Sequence, residues 1–177
     1  VSRRLAQGIS TDRDVTPRTA VEAVVALGAN LGDRGQTLTE AVDELRRLPL
    51  VDDVRASGAI ESVAVKPDGP DASAPTYFNA VAILTTRLAP SVLLGYLHAI
   101  EQRHGRERRE RWGDRTLDLD LITYGDVRSD EASLTLPHPR AAERDFVLAP
   151  WLEVDPDAEI PGVGRVDALL ARLREHA

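Results

Sequence analysis

Apolar positions along the chain change period in a definite order. Val21 to Ala29 is a nearly continuous apolar run, the pattern of a buried central strand. It ends in Gly28-Ala29-Asn30-Leu31-Gly32-Asp33, a tight strand-to-helix turn in which Asp33 and Gln36 resemble a capping box. Leu38, Ala41, Val42 and Leu45 then recur at helical spacing until Pro49. Val54 to Ser62 alternates through Val54, Ala56, Gly58 and Ile60, which predicts a second strand. Residues 63–76 hold Pro67, Gly69, Pro70 and Pro75 and predict a long loop of the functional kind. Tyr77 to Thr86 predicts a third strand with Tyr77, Asn79, Val81 and Ile83 on one face. Pro90 opens a second helix, as proline can in a first turn. Its buried stripe is Val92, Leu93, Tyr96, Leu97 and Ile100, with Glu101 at the polar-to-buried margin. A fourth strand follows from Leu117 to Tyr124.

Smaller pieces close the pattern. Leu134 to Leu136 is extended, Phe146 to Leu152 forms a short apolar helix with Trp151 in the core, and a Pro/Gly-rich connector leads to an amphipathic helix over Val166–Glu175. The order strand-helix-strand-strand-helix-strand belongs to the α+β class. It predicts a ferredoxin-like β-α-β-β-α-β sandwich, an antiparallel sheet with both helices on one face plus small C-terminal additions. A single domain is expected over residues 21–177. Residues 1–20, polar and aperiodic, are expected to be a disordered leader.

Composition narrows the function. No run approaches the roughly 18 apolar residues of a membrane span, and no secretory pattern opens the sequence, so no membrane and a cytoplasmic location are expected. Cysteine is absent, which removes disulfides, thiolate zinc sites and cysteine nucleophiles. The four histidines, His98, His104, His138 and His176, are too scattered for a zinc cluster. A net charge of -7 argues against nucleic acid, whose binding rests on phosphate neutralisation. Yet Arg103, Arg106, Arg108, Arg109, Arg111 and Arg115 fall within thirteen residues. An acidic protein with one basic loop suits a small anionic ligand, although a solvated helix end carries the same charges.

The fourth strand holds the clearest chemistry. Leu117, Leu119 and Leu121 alternate with Asp118 and Asp120, whose carboxylates project together about 7 Å apart along the strand. A hard cation such as Mg²⁺ relieves their repulsion and is commonly held by one or two carboxylates plus substrate phosphates. A solvated acidic strand edge is the competing reading of the pair alone. The arginines and Trp112 just upstream favour phosphate. His138, restrained between Pro137 and Pro139, suits a histidine held against a ligand. The turn after the first strand is neither a P-loop, lacking Gly-Lys-Ser/Thr, nor a three-glycine dinucleotide loop. Residue chemistry thus reaches metal-dependent phosphoryl transfer and leaves a nucleotidyltransferase or a regulatory module open.

With these motifs placed, the chain resembles the 6-hydroxymethyl-7,8-dihydropterin pyrophosphokinases from about Val24 to Pro161. The most specific portion is Gly105-Arg106 with Arg111-Trp112-Gly113-Asp114-Arg115-Thr116-Leu117-Asp118-Leu119-Asp120. Leu27-Gly28-Ala29-Asn30-Leu31-Gly32, Phe78-Asn79-Ala80-Val81 and Leu136-Pro137-His138-Pro139-Arg140, with Arg144 and Phe146-Val147-Leu148, support it. The resemblance implies transfer of diphosphate from ATP to the pterin's hydroxymethyl oxygen, releasing AMP, in folate biosynthesis. It implies two Mg²⁺ ions on Asp118 and Asp120, and a monomer is expected. Arg106 and Arg115 would be catalytic with these aspartates. Glu101, Arg106, Arg108, Arg109, Trp112, Arg115, Thr135, His138 and Arg144 would contact ATP. Tyr77, Asn79, Trp112, Asp118 and Phe146 would hold the pterin. Three departures stand out: the longer stretch from Ser62 to Asp71, His98 where glutamine or glutamate is usual, and Asp114 in place of a common proline.

Overall fold

Among the described residues four strands carry the main sheet, and the three longest form where the sequence is apolar with period two or on both faces. The computed structural model describes residues 19–66, 69–71, 76–105 and 116–175. In chain order the elements are β1 (Val21–Ala29), α1 (Arg34–Arg46), β2 (Val51–Ala56), β3 (Ile60–Ser62), β4 (Ala64–Lys66), β5 (Gly69–Asp71), β6 (Tyr77–Thr86) and α2 (Pro90–Arg103). They continue with β7 (Asp118–Tyr124), β8 (Ser129–Glu131), β9 (Leu134–Leu136), α3 (Asp145–Val154), β10 (Glu159–Ile160), β11 (Gly164–Arg165) and α4 (Val166–Glu175). The sheet runs β2-β6-β1-β7 with every pair antiparallel, and β3 continues along β6 beyond β2. This is the expected ferredoxin-like order. The leader expected over residues 1–20 lies almost wholly outside the described residues.

Each face of the sheet has its own core. Ala23, Val25, Leu27 and Leu84 face α1 and α2, where Leu38, Leu45, Leu93, Leu97 and Ile100 pack on them together with Leu117, Leu119 and Leu121. The C-terminal additions occupy the opposite face. There Val147, Leu148 and Trp151 of α3 and Val166, Leu169 and Leu170 of α4 pack on Val24, Val81, Ile83 and Ile122. Strand β1 is therefore covered on both sides, which explains its unbroken apolar run. Trp151 is core, as expected.

Several local expectations need correction. The strand expected over Val54–Ser62 breaks at Ser57–Ala59. Ser57 stands in for the ladder there, donating its N–H to Val81 O (2.9 Å) while its hydroxyl accepts Val81 N–H (3.0 Å). Gly58 turns outward and donates its N–H to Glu153 of α3 at 2.9 Å. Residues 63–76 are not wholly loop, because β4 and β5 pair within them. Val92 is not in the buried stripe of α2 but 48% exposed. In β7 a register shift opposite Val24/Val25 lets Ile122 join one core while Tyr124 reaches the other, its hydroxyl donating to Leu88 O.

One carboxylate joins the two helices across the first core. Glu44 of α1 accepts from Arg103 Nε at 2.8 Å and lies 2.7 Å from His104 Nε2, at the end of α2. Burial pushes its carboxyl up, but the hydrogen bonds from Arg103 and His104 outweigh this and hold it below the usual carboxylate range. A depressed carboxylate contributes stability above its unfolded pKa, and the contribution is lost as pH falls through the folded value. Glu44→Gln is therefore expected to unfold slightly earlier than wild type in urea at neutral pH, by no more than about 1 kcal/mol. The gap should close below the carboxylate range. A gap that persists at acid pH would mean that packing, not charge, holds the helices.

Candidate active site

The strand register brings residues from three separate segments into one row. Asn79 on β6 lies opposite Gly28 on β1, and Gly28 lies opposite Asp118 on β7. The next row is Val81, Ala26 and Asp120. Opposite residues in an antiparallel sheet share a face, so Asn79, Asp118 and Asp120 stand on the face that α3 and α4 cover further along. The first turn of α3 brings Phe146 to that side, partly buried against the same core.

Gly28 forms the floor of this row. A β-carbon there would lie 3.5 Å from Asn79 Oδ1 and 3.8 Å from Tyr77 Cδ1. Without one, the backbone between Asn79 and Asp118 stays open to a flat ligand. A glycine inside a strand pattern signals such close approach, but the turn that follows Gly28 masked the signal. Asn79 is 5% exposed and oriented by its neighbours. Its Nδ2 donates to Ser62 Oγ at 2.7 Å and to Tyr77 O at 3.4 Å, so its Oδ1 faces Gly28. Ser62 went unnoticed in the sequence because its partner is seventeen residues away.

The acidic end is charged on both signs. Arg144 Nη1 donates to Asp120 Oδ2 at 3.1 Å, and His138 Nε2 lies 3.9 Å from the same oxygen. His138 is fixed at two other atoms, its backbone N–H donating to Ile122 O (2.8 Å) and its Nδ1 accepting Arg140 N–H (3.2 Å). The ring proton is thereby assigned to Nε2, the nitrogen facing Asp120. Burial pushes the His138 pKa down, Asp120 opposes this, and Arg144 and Arg140 reinforce it, with a net downward shift. A neutral imidazole that donates from Nε2 results. The Arg144 guanidinium also lies 5.8 Å from the Phe146 ring centroid.

Asp118 and Asp120 are half-buried, held by β1 and turned to one side. Among the described residues no three His, Cys, Asp or Glu side chains gather as a closed metal site. Two carboxylates with an open side fit a cation that completes its shell with phosphate and water rather than a structural zinc. Arg144 supplies positive charge to Asp120 at 3.1 Å.

Of the expected ATP contacts, Glu101 sits deeper than its sequence position implies, whereas Thr135 lies on the expected extended piece. Glu101 is not at a margin but 1% exposed, and its Oε1 accepts the N–H of Leu119, between the two aspartates, at 2.9 Å. Thr135 is exposed on β9, its hydroxyl donating to Glu131 O within the β8–β9 hairpin. Arg106, Arg108, Arg109, Trp112 and Arg115 lie outside the described residues. His98 is half-buried on α2.

Known proteins match this arrangement in sequence and in fold. The family model for 7,8-dihydro-6-hydroxymethylpterin-pyrophosphokinase matches residues 24–156. A Synechocystis 2-amino-4-hydroxy-6-hydroxymethyldihydropteridine pyrophosphokinase is 43% identical over 149 residues, 84% of this chain and 74% of that protein. Its Pseudomonas aeruginosa counterpart is 42% identical, over 83% of this chain and 88% of that protein. The Haemophilus influenzae counterpart is 36% identical, over 88% and 95%. The fold superposes on a crystal structure of an HPPK-DHPS in complex with substrates with a TM-score of 0.67 at 12% identity, covering 91% of this chain and 44% of that one. Wild-type Plasmodium falciparum HPPK-DHPS gives 0.61 at 10% identity, over 89% and 42%. The chain thus spans under half the length of those solved proteins. With the family model spanning both the Asn79–Gly28–Asp118 row and the Asp120–His138–Arg144 cluster, this chain belongs to the 7,8-dihydro-6-hydroxymethylpterin-pyrophosphokinase family.

Proposed function

We propose that the protein transfers diphosphate from ATP to the hydroxymethyl oxygen of 6-hydroxymethyl-7,8-dihydropterin, releasing AMP, with two Mg²⁺ ions held by Asp118 and Asp120. The observation that carries this reading is the row Asn79–Gly28–Asp118. It sets a polar recognition group, an open floor and a metal-type carboxylate side by side, as a pterin with a reacting arm requires. The flat ring lies across Gly28 with Asn79 on its polar edge, Tyr77 beside it and Phe146 facing it. Aromatic faces hold such a ring at low entropic cost. Its hydroxymethyl arm then points along the row toward Asp118 and Asp120.

Magnesium held by Asp118 and Asp120 would neutralise phosphate charge and favour attack by the hydroxymethyl oxygen. The chain's own groups bind and orient. His138 donates from Nε2 to a phosphate oxygen without adding full charge, and Arg144 exchanges Asp120 for phosphate, its fork matching that geometry. Arg106, Arg108, Arg109 and Arg115 hold further phosphate oxygens, Trp112 packs beside both substrates, and Thr135 meets the nucleotide. Glu101 acts instead through the β7 backbone.

Product identity tests the reading, with ATP, Mg²⁺ and the pterin supplied together. AMP formed only in the presence of pterin supports it, whereas ADP would indicate a simple kinase and pyrophosphate release a nucleotidyltransferase. Gly28→Val tests the floor. Its branched side chain is expected to raise KM for the pterin about tenfold by filling the ring's place, leaving KM for ATP unchanged. An unchanged pterin KM would move the ring off Gly28.

A further inference from the structure

Arg34 is the first residue of α1, on the side of the sheet away from the substrates, and on that side its side chain meets the start of β6. Its Nη1 donates to Thr76 O at 2.7 Å, to Thr76 Oγ1 at 2.6 Å and to Glu61 Oε1 at 3.2 Å. The Thr76 hydroxyl in turn donates to Glu61. The guanidinium carbon sits 4.0 Å above the centre of the Phe78 ring. Arg34 does not cap its own helix, because Asp33 performs that role through Gln36 N–H. All of these contacts go to one place, the junction where β3 meets the start of β6.

That junction is weakly built otherwise. β3 has three residues and pairs with β6 only through Ile60 with Asn79, Glu61 with Phe78 and Ser62 with Tyr77. It follows the break at Ser57–Ala59, so the longer β2 does not continue into it. A strand this short gains little from its own ladder. Thr76 immediately precedes Tyr77, and Phe78 lies between Tyr77 and Asn79. Side chains alternate along a strand, so a group that grips Phe78 from behind fixes how Tyr77 and Asn79 stand in front. Ser62, which orients the Asn79 amide, is held by the same short strand.

We propose that Arg34 is a positioning residue for substrate specificity: through Thr76, Glu61 and Phe78 it locks the β3–β6 corner and sets Tyr77 and Asn79 against the pterin ring. This rests on the pterin reading above. An ordinary surface ion pair contributes little. Arg34 differs because its side chain is only 25% exposed, a backbone carbonyl is among its acceptors, and the planar group is stacked on an aromatic ring. Glu61, 56% exposed, keeps its charge outside while its oxygen closes the triangle.

The experiment is steady-state kinetics of AMP formation with wild type, Arg34→Ala, Arg34→Lys and Thr76→Val, varying each substrate in turn. Arg34→Ala is expected to raise KM for 6-hydroxymethyl-7,8-dihydropterin about tenfold while kcat and KM for ATP stay within about twofold, the signature of lost ground-state positioning. Arg34→Lys keeps the charge but not the planar fork and should recover only part of the loss. Thr76→Val removes the shared hydroxyl at equal size and should raise the same KM several-fold, which carries the test if Arg34→Ala does not fold. An unchanged pterin KM overturns the proposal. So does an equal loss toward both substrates, or a fall in kcat alone, either of which a merely structural role would produce. Wild type that forms no AMP from the pterin refutes the function itself, a result visible before any variant is compared.

Discussion

Asp120→Ala is expected to lower AMP formation about a thousandfold or more, equivalent to about 4 kcal/mol of transition-state stabilisation. Asp118→Ala should do the same. The reasoning starts from geometry. Both carboxylates project from one side of β7, and both residues lie opposite β1 positions, Ala26 and Gly28, so removing a side chain leaves the strand pairing intact. Neither side chain belongs to a core, and thermal unfolding should move by only a few degrees. The effect falls on the polyphosphate, whose negative charge would approach with half of its cation-holding groups missing. Asp120→Ala also deprives Arg144 of its acceptor at 3.1 Å, which leaves a cation free to bind ATP. Tighter ATP binding with lost turnover would therefore be consistent with the assignment. The check is single-turnover AMP release alongside a melting curve. Near-normal turnover in either variant would remove that residue from the metal site.

The two kinds of period in the chain account for what was legible. Alternation from Leu117 to Leu121 located both aspartates on one face because a strand offers only two faces, and one of them had to be buried. Element order gave the ferredoxin-like topology for a similar reason, since short connections leave few antiparallel arrangements of four strands and two helices. The misreadings share a cause as well. Gly58 fits the alternation of a strand, but a carboxylate ninety-five residues later, Glu153, draws its N–H outward. Val92 fits a helical stripe, yet the buried face of α2 is set by Leu93, Leu97, Ile100 and Glu101, and Val92 falls beside it, 48% exposed. The pairing of β4 with β5 is local, Lys66 lying opposite Gly69, but Pro67 and Pro70 make the stretch read as loop. Nothing in the spacing around Arg34 marks it in the sequence. Long side chains that bond to distant backbone groups leave no periodic trace, and in this fold they hold the corner behind Tyr77 and Asn79 as well as the strand bearing Asp118 and Asp120.

Glu101 is the clearest instance, and Glu101→Ala should lose more stability than Glu44→Gln or either aspartate variant, about 3 kcal/mol. Strand β7 ends the sheet path, so β1 pairs with it on one side only. The N–H of Leu119, inside a core where Leu119 is 2% exposed, takes Glu101 Oε1 as its acceptor at 2.9 Å. Alanine removes that acceptor and opens a hole in a place water does not fill freely. An orphaned buried N–H and a cavity each cost free energy, and the two add. Glu101→Gln keeps the shape and an acceptor oxygen and should lose only about 1 kcal/mol, because the bond from Leu119 N–H can persist. Urea denaturation of wild type and the two Glu101 variants gives the ordering. Amide exchange at Leu119 gives the cause, slow in wild type and in Glu101→Gln but fast in Glu101→Ala. Turnover should follow exchange rather than ATP affinity, since Leu119 lies between Asp118 and Asp120 and its loosening moves both. A Glu101→Ala protein with unaltered stability and exchange, but weaker ATP binding, would return Glu101 to the nucleotide site.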